Sequence, residues 1–231
     1  MFTNNKSNGT DNSINIDINK NIFSQNCLSP LIVGYPYLPF TDSSIDYHSL
    51  HILINDIIVN NRQSIIEFGS GISTILIGRL CKLNNLKTQL YTIDDNEGWV
   101  SLMKGMIKKE NLENFISLIY APLEEISLSN HHLKWYSTKI LDQSLSNQTF
   151  DMVITDGPMA YLQEIERSRF PAVPYIKDKL ESNHSIFLHD TNRHGEQSII
   201  EDWSKLLNKE NIRYTTKLTG FIEGTSYTIS I

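Results

Sequence analysis

The chain has 231 residues and a formal net charge of −6, with 20 Lys and Arg against 26 Asp and Glu. This length suits one sizeable domain, and the acidic balance argues against nucleic-acid binding, which usually requires a basic surplus. Cys27 and Cys81 form no CxxC pair, and no apolar run approaches the ~20 residues that span a bilayer, which together predict a cytoplasmic protein without membrane contact.

The first 60 residues are predicted to precede the main domain. Residues 1–22 are polar and rich in asparagine, which predicts a flexible tail, and they lack the apolar core of a secretory signal. Residues 23–60 are predicted to form an N-terminal extension, extended around two prolines and then helical, with Asp42 or Ser43 as the N-cap of the helix. The main domain is expected at 61–231.

Short β-branched runs alternate with helical patterns along the main domain. The predicted strands are 64–68, 89–94, 115–121, 150–156, 185–190, 213–218 and 226–231. The predicted helices are 73–86, 97–110, 159–182 and 196–209, and a polar stretch at 124–148 is left unassigned. This alternation predicts an α/β fold with a doubly wound, mainly parallel seven-stranded sheet. The last two strands are joined by a short connection and predict an antiparallel C-terminal hairpin.

The sequence EFGSGIST turns from the first strand into a helix. Gly69 and Gly71 permit a tight turn and the close approach of a ligand, and Asp94 at the end of the second strand can accept the hydroxyls of a ribose. Thr74 replaces the third glycine of a dinucleotide fingerprint, which disfavours a nicotinamide cofactor. The carboxylate of Glu67 suits a ligand with an ammonium group and a ribose, such as S-adenosylmethionine (SAM). An ordinary strand-to-helix turn is the alternative.

In these segments the chain resembles the class I SAM-dependent methyltransferases over about residues 35–231. EFGSGIST, YTIDDN, IYAPLEE, FDMVITDGP and SIFLHDTNR resemble successive family motifs, and PL…WY, DGP, SRFPAVP and HDTNRxxE are similar to a bacterial subgroup acting on small molecules or glycans. The resemblance implies a Rossmann-like fold whose crevice residues 23–60 cover. It also implies that SAM is bound by Glu67, Gly69, Ser70, Gly71, Ser73, Asp94, Pro122 and Leu123.

Two carboxylates end the fourth and fifth predicted strands, where a crevice is expected. Asp156 and Asp190 are therefore the predicted catalytic bases or, alternatively, ligands of Mg²⁺ or another divalent cation. The resemblance to metal-dependent small-molecule O-methyltransferases is partial, because the fifth-strand motif here is His-Asp-Thr. His189 is a further candidate base, with a buried structural histidine as the alternative.

Tyr37, Arg169 and Arg193 are the predicted substrate-binding residues, although packing and structural salt bridges would explain them as well. The predicted reaction is methyl transfer from SAM to a hydroxyl oxygen of a small-molecule or glycan-precursor acceptor. The alternatives are a nicotinamide-dependent oxidoreductase and a non-catalytic Rossmann-like binding protein. No nucleic-acid partner is expected, and the sequence makes no prediction of oligomeric state.

Overall fold

The computed structural model describes residues 8–128, 131–209, 215–219 and 226–230. Its strands are β1 (Ser64–Phe68), β2 (Gln89–Asp94), β3 (Ile116–Tyr120), β4 (Leu123–Leu128), β5 (His131–Tyr136), β6 (Phe150–Thr155), β7 (Leu180–Leu188), β8 (Thr215–Thr219) and β9 (Ser226–Ser230). One sheet has the order β3-β2-β1-β6-β7-β9-β8. Its first five strands run parallel, whereas β9 is antiparallel to both of its neighbours. The predicted α/β class and the parallel centre of the sheet are therefore confirmed.

The helices are α1 (Asn8–Leu28), α2 (Tyr47–Val59), α3 (Ile72–Leu83), α4 (Glu97–Glu110), α5 (Thr138–Ser144), α6 (Ala172–Ile176) and α7 (His194–Lys209). Short 3-10 helices occupy Ser29–Leu31, Gln163–Ile165 and Lys177–Lys179. Within the described part of the chain, no helix has the length and apolar character needed to cross a membrane.

Hydrophobic side chains of the central strands divide between two cores, one on each face of the sheet. In β1, Ile65 packs into a core shared with α2, α3 and α4, whereas the next residue, Ile66, packs into a core shared with α5, α6 and α7. Phe187 and Ile186 of β7 divide in the same way. Neighbouring residues of a strand point to opposite faces of the sheet, so they enter different cores. Since each core also contains helices, helices cover both faces of the sheet, as a doubly wound fold requires.

Several predicted elements have different bounds in the structure. Residues 159–182 are not mostly helical: the α-helix there covers only Ala172–Ile176, and Pro171 is its N-cap because a proline beyond the first turn of a helix would remove a backbone hydrogen bond. The unassigned stretch at 124–148 contains α5 and a separate antiparallel hairpin, β4–β5, whose alternating polar residues conceal its strands. The helix α2 begins only at Tyr47, since its N-cap is Asp46 rather than Asp42 or Ser43.

The N-terminal extension is anchored to the main domain by a buried arginine of α3. Arg79 donates hydrogen bonds to the carbonyl oxygens of Leu31 and Pro36, at 2.8 and 3.0 Å, and pairs with Glu110 at 2.7 Å. The helix α1 crosses the boundary predicted at residue 22 and packs against α2. The flexibility of 1–22 remains a prediction, and residues 1–7 lie outside the described residues.

Candidate active site

A cleft of about 390 Å³ opens at the carboxyl ends of the parallel strands. Its walls are residues 39, 41–45, 69–73, 94–96, 156–161, 189 and 190, together with Trp99, Tyr136, Arg169 and Arg193. The extension therefore contributes one wall, and the turns that follow β1, β2, β6 and β7 contribute the others. Most of the predicted site residues meet here, because the carboxyl ends of parallel strands share one edge of a sheet.

The glycine turn after β1 lies against the turn after β6. Gly69 has a φ of +96°, and a Cβ atom at this position would come within 2.7 Å of the backbone nitrogen of Gly157. This conformation and this close contact both require glycine. Gly71 is different, because its backbone is extended and a Cβ atom there would meet no atom within 4 Å. The space next to Gly71 therefore belongs to the open cleft.

Glu67 lies beneath the glycine turn and outside the cleft wall. Its fully buried carboxylate accepts hydrogen bonds from the hydroxyl groups of Ser73, Thr74 and Thr92 at 2.5–2.7 Å. Burial raises the pKa of Glu67 to about 7, although these hydroxyls act in the opposite direction. These hydrogen bonds connect the carboxylate to the first turn of α3 and to β2, and so stabilise the glycine turn. A direct contact of Glu67 with SAM remains a prediction.

Two neighbouring acids lie at the end of β2. Asp94 accepts hydrogen bonds from the backbone N–H and hydroxyl of Ser70, at 3.0 and 2.8 Å, and from the backbone N–H of Asn96 at 3.0 Å. Asp95 lines the cleft as well, and burial together with Asp94 raises its pKa. The indole of Trp99 donates to the carbonyl oxygen of Ser70 at 2.9 Å, so the turn is held from both sides.

Arg169 is the centre of an ion-pair cluster at the other end of the cleft. Its guanidinium lies 3.3 Å from Asp156, 3.0 Å from Asp190 and 3.4 Å from Glu196, and its side chain is only 5 % exposed. Burial lowers the pKa of Arg169, but the surrounding carboxylates outweigh burial and raise it. Arg193 joins the cluster from the cleft mouth, 3.0 Å from Asp190, with its side chain 38 % exposed.

His189 lies on the cleft side, among carboxylates, rather than in an apolar core. Its Nδ1 is 3.1 Å from Asp156 and 3.5 Å from Asp190, and its Nε2 is 3.5 Å from Asp46 at the start of α2. Burial lowers the pKa of His189, but these acids outweigh burial and hold it well above its ordinary value. The surrounding acids therefore favour the protonated form of the imidazole.

The predicted metal site can be tested against the side chains present. Asp156, His189 and Asp190 each offer one ligand atom, and these atoms lie within 4.8 Å of one another. However, the Arg169 guanidinium already lies within 3.3 Å of both carboxylates. In this arrangement the three side chains do not fit a divalent cation, because the positive charge of Arg169 already lies against both carboxylates.

Besides Glu67, three predicted residues of the described structure are outside the walls of the cleft. Tyr37 is 86 % exposed on the extension, Pro122 accepts a backbone hydrogen bond from Ser137, and Leu123 begins β4. Tyr136 also lies in the wall, although it is not one of the predicted site residues. Trp135 and Tyr136 form part of a family motif in the sequence. The polar residues around them gave no sign of the β4–β5 hairpin, which brings Tyr136 to the cleft.

Comparisons with known proteins agree with this architecture. A family model described as a methyltransferase domain matches residues 66–191, more than half of the chain. A search of curated protein sequences gives no match. Because the family match covers the glycine turn and both strand-end acids, it favours a methyltransferase over a nicotinamide-dependent oxidoreductase.

Solved structures share the fold at low sequence identity. An O-methyltransferase from Bacillus cereus, solved with S-adenosylhomocysteine (SAH), is 13% identical with a TM-score of 0.56, covering 92% of this chain and 91% of its own. The SAH-bound methyltransferase PaMTH1 from Podospora anserina is 15% identical with a TM-score of 0.58, covering 100% and 97%. The SAM-bound O-methyltransferase TomG from Streptomyces achromogenes, involved in tomaymycin synthesis, is 12% identical with a TM-score of 0.57, covering 94% and 98%. The chain therefore belongs to the methyltransferase-domain family, within the class I SAM-dependent methyltransferases.

Proposed function

We propose that this methyltransferase acts on a hydroxyl oxygen of a small-molecule or glycan-precursor acceptor. The observation that carries the proposal is a single cleft that joins the glycine turn to the carboxylate of Asp156. The Bacillus and Streptomyces proteins of the same fold are O-methyltransferases, which supports an oxygen acceptor here. Since one fold hosts many acceptors, the acceptor is argued from the site rather than from the fold.

The end of the cleft near β1 and β2 fits SAM by the chemistry of its walls. Gly71 leaves room against the backbone, and the carboxylates of Asp94 and Asp95 suit the hydroxyls of a ribose and a positively charged ligand. Ser70 is held in place by Asp94, and Ser73 by Glu67. When bound, SAM supplies an electrophilic methyl group. The hydrogen bonds of Ser70 and Ser73 hold the glycine turn in shape before SAM binds, and such preorganisation helps to position a bound ligand.

Asp156 is the proposed proton acceptor for the acceptor hydroxyl. His189 and Arg169 both make their closest contact with its Oδ1, so Oδ2 is the oxygen proposed to take the proton. The acids around His189 favour its protonated form, so in this proposal His189 holds Asp156 in place and Asp156 takes the proton. Asp190 is less suited, because Arg169 and Arg193 both contact its Oδ2 and its pKa is lowered by the charges around it, in spite of burial.

The mouth of the cleft supports a small acceptor with a flat or ring-shaped apolar face. Met159 and Tyr161 line it while 55 % and 62 % exposed, which leaves both side chains open to contact a ring. Residues 41–45 form the facing wall, and Arg193 offers a partly exposed guanidinium to an acidic group of the acceptor. Of the predicted substrate contacts, Arg193 therefore keeps that role in the proposal, whereas Arg169 holds the carboxylates in place.

The test begins with calorimetric titration of SAH into the purified protein, with and without Mg²⁺. We expect saturable one-to-one binding under both conditions, followed by transfer of labelled methyl from SAM to one member of a panel of hydroxylated small molecules and nucleotide sugars. No SAH binding in either condition would overturn the function. Transfer to amine acceptors alone would overturn the assignment to oxygen.

A further inference from the structure

A buried hydroxyl without a partner lies in the wall of the cleft. Tyr136 has no exposed surface, and its hydroxyl oxygen makes no hydrogen bond with any described residue. Trp135 and Thr155 also carry unpaired buried polar atoms, but neither of them lines the cleft. Because a buried hydroxyl without a hydrogen bond costs free energy, an unpaired one that faces a binding cleft indicates a bound ligand as its partner.

The ring of Tyr136 is held firmly by its aromatic neighbours. It stacks on Phe68 with ring centroids 6.0 Å apart, and it meets Trp135 edge-on at 5.6 Å. This packing places the hydroxyl against Gly157, where any Cβ atom would collide with it. Gly157 in turn contacts Gly69, so the hydroxyl lies where the turns after β1 and β6 meet.

The surroundings of this hydroxyl are acidic. Burial, with Asp94, Asp95 and Asp156, raises the pKa of Tyr136 well above its ordinary value, whereas Arg169 acts in the opposite direction. The phenol therefore stays neutral, and it offers oxygen lone pairs in a region of negative potential. The oxygen of this hydroxyl therefore favours contact with a cationic group of a ligand.

Resting on the proposed function, we propose that the Tyr136 hydroxyl contacts the positively charged methionyl part of SAM, at either its ammonium group or its sulfonium centre. The ammonium group would donate a hydrogen bond to the hydroxyl oxygen, whereas the sulfonium centre, which has no donor hydrogen, would attract that oxygen electrostatically. The contact also gives a reason for glycine at 157, since a Cβ atom there would collide with the hydroxyl.

The test compares Tyr136→Phe with a matched control, Tyr175→Phe. Tyr175 packs on Trp135 in the same aromatic cluster, but its hydroxyl donates to Asp142 outside the cleft. For each variant, calorimetry gives the Kd of SAM and SAH, and thermal unfolding of the unbound protein gives Tm. We expect Tyr136→Phe to weaken SAM binding by about tenfold, in line with the loss of one hydrogen bond to a charged group. Its unbound Tm should be unchanged or higher.

The two ligands distinguish the two cationic groups. Equal weakening of SAM and SAH assigns the contact to the ammonium group, which both carry, whereas weakening of SAM alone assigns it to the sulfonium centre. A Tyr136→Phe variant that binds both ligands like the wild type would overturn the inference, as would a lowered unbound Tm with unchanged binding, because that pattern marks a structural hydroxyl. Failure of the wild type to bind either ligand would overturn the proposed function, and this inference with it.

Discussion

The Nδ1 atom of His189 lies 3.1 Å from Oδ1 of Asp156, and the two residues follow neighbouring parallel strands. Thr155 of β6 is paired in register with Leu188 of β7, so the next residue on each strand reaches the same place at the edge of the sheet. The pair is therefore a direct product of strand register. It places a carboxylate next to an imidazole at the position where, in the proposed function, the acceptor hydroxyl loses its proton.

Replacing Asp156 tests this arrangement. Asp156→Asn removes the proposed proton acceptor but keeps the shape of the side chain, so we expect turnover to fall by about 10²- to 10⁴-fold while SAH affinity stays near that of the wild type. Steady-state kinetics and calorimetry measure the two effects. Asp178→Asn, at a carboxylate 83 % exposed on the surface, is the matched control. Normal turnover of Asp156→Asn would remove this residue from the mechanism, and a much larger loss in Asp190→Asn would transfer the role to Asp190.

The sequence predicted the strand-end acids, and it named Arg169 as a substrate contact or a member of a structural salt bridge, but it did not predict that Arg169 lies between the acids. Asp156 and Asp190 follow apolar strands, and the geometry of a parallel sheet brings such residues together. Arg169 comes from a segment predicted to be helical, and no local pattern says that its side chain turns inward to meet both acids. Tyr136 belongs to a hairpin whose outward residues are polar, so its burial depends on tertiary packing. Tyr37 was predicted to bind substrate but is exposed outside the cleft, because the sequence of an extended segment does not show which side faces the cleft.

Metal removal distinguishes Arg169 from a divalent cation. Because the guanidinium lies between the two carboxylates, we expect turnover to be unchanged by a chelator and by added Mg²⁺. Arg169→Gln should leave the acids uncompensated, lower the free energy of unfolding by about 3–5 kcal/mol, and make Tm respond to Mg²⁺. Arg167→Gln, which breaks a more exposed pair with Asp202, is the control and should show no such response. Turnover lost in the chelator and restored by Mg²⁺ would instead establish Asp156 and Asp190 as metal ligands.

The buried carboxyl of Glu67 predicts a pH dependence of stability. Its pKa lies near 7 in the fold, against an ordinary value of 4.5, so the folded protein binds more protons than the unfolded chain between these values. The free energy of unfolding should therefore fall as pH rises from about 4.5 to about 7, by at most about 3 kcal/mol from this group. Glu67→Gln should remove this fall, as urea unfolding at pH 5 and pH 8 would measure. Glu125→Gln, at a side chain 72 % exposed, should retain it, and equal pH dependence in all three proteins would contradict the assignment.

The two glycines of the turn should respond differently to alanine. Gly69→Ala forces a side chain into a backbone conformation with φ of +96° and against the backbone of Gly157, so we expect a loss of several kcal/mol in the free energy of unfolding. Gly71→Ala meets neither obstacle, because its backbone is extended and its Cβ atom has open space. Its stability should stay near that of the wild type.

Although Gly71→Ala should have little effect on stability, it should weaken the binding of SAH. The added methyl group projects into the part of the cleft proposed for SAM, so SAH affinity should fall about tenfold or more in a protein that is otherwise intact. Gly105→Ala in α4, where a Cβ atom also meets open space but lies outside the cleft, controls for the substitution itself. It should bind SAH normally and unfold at a slightly higher temperature, since alanine favours a helix over glycine. A Gly71→Ala protein that binds SAH like the wild type would place the ligand away from the glycine turn, and it would separate the turn's role in the fold from any role in binding.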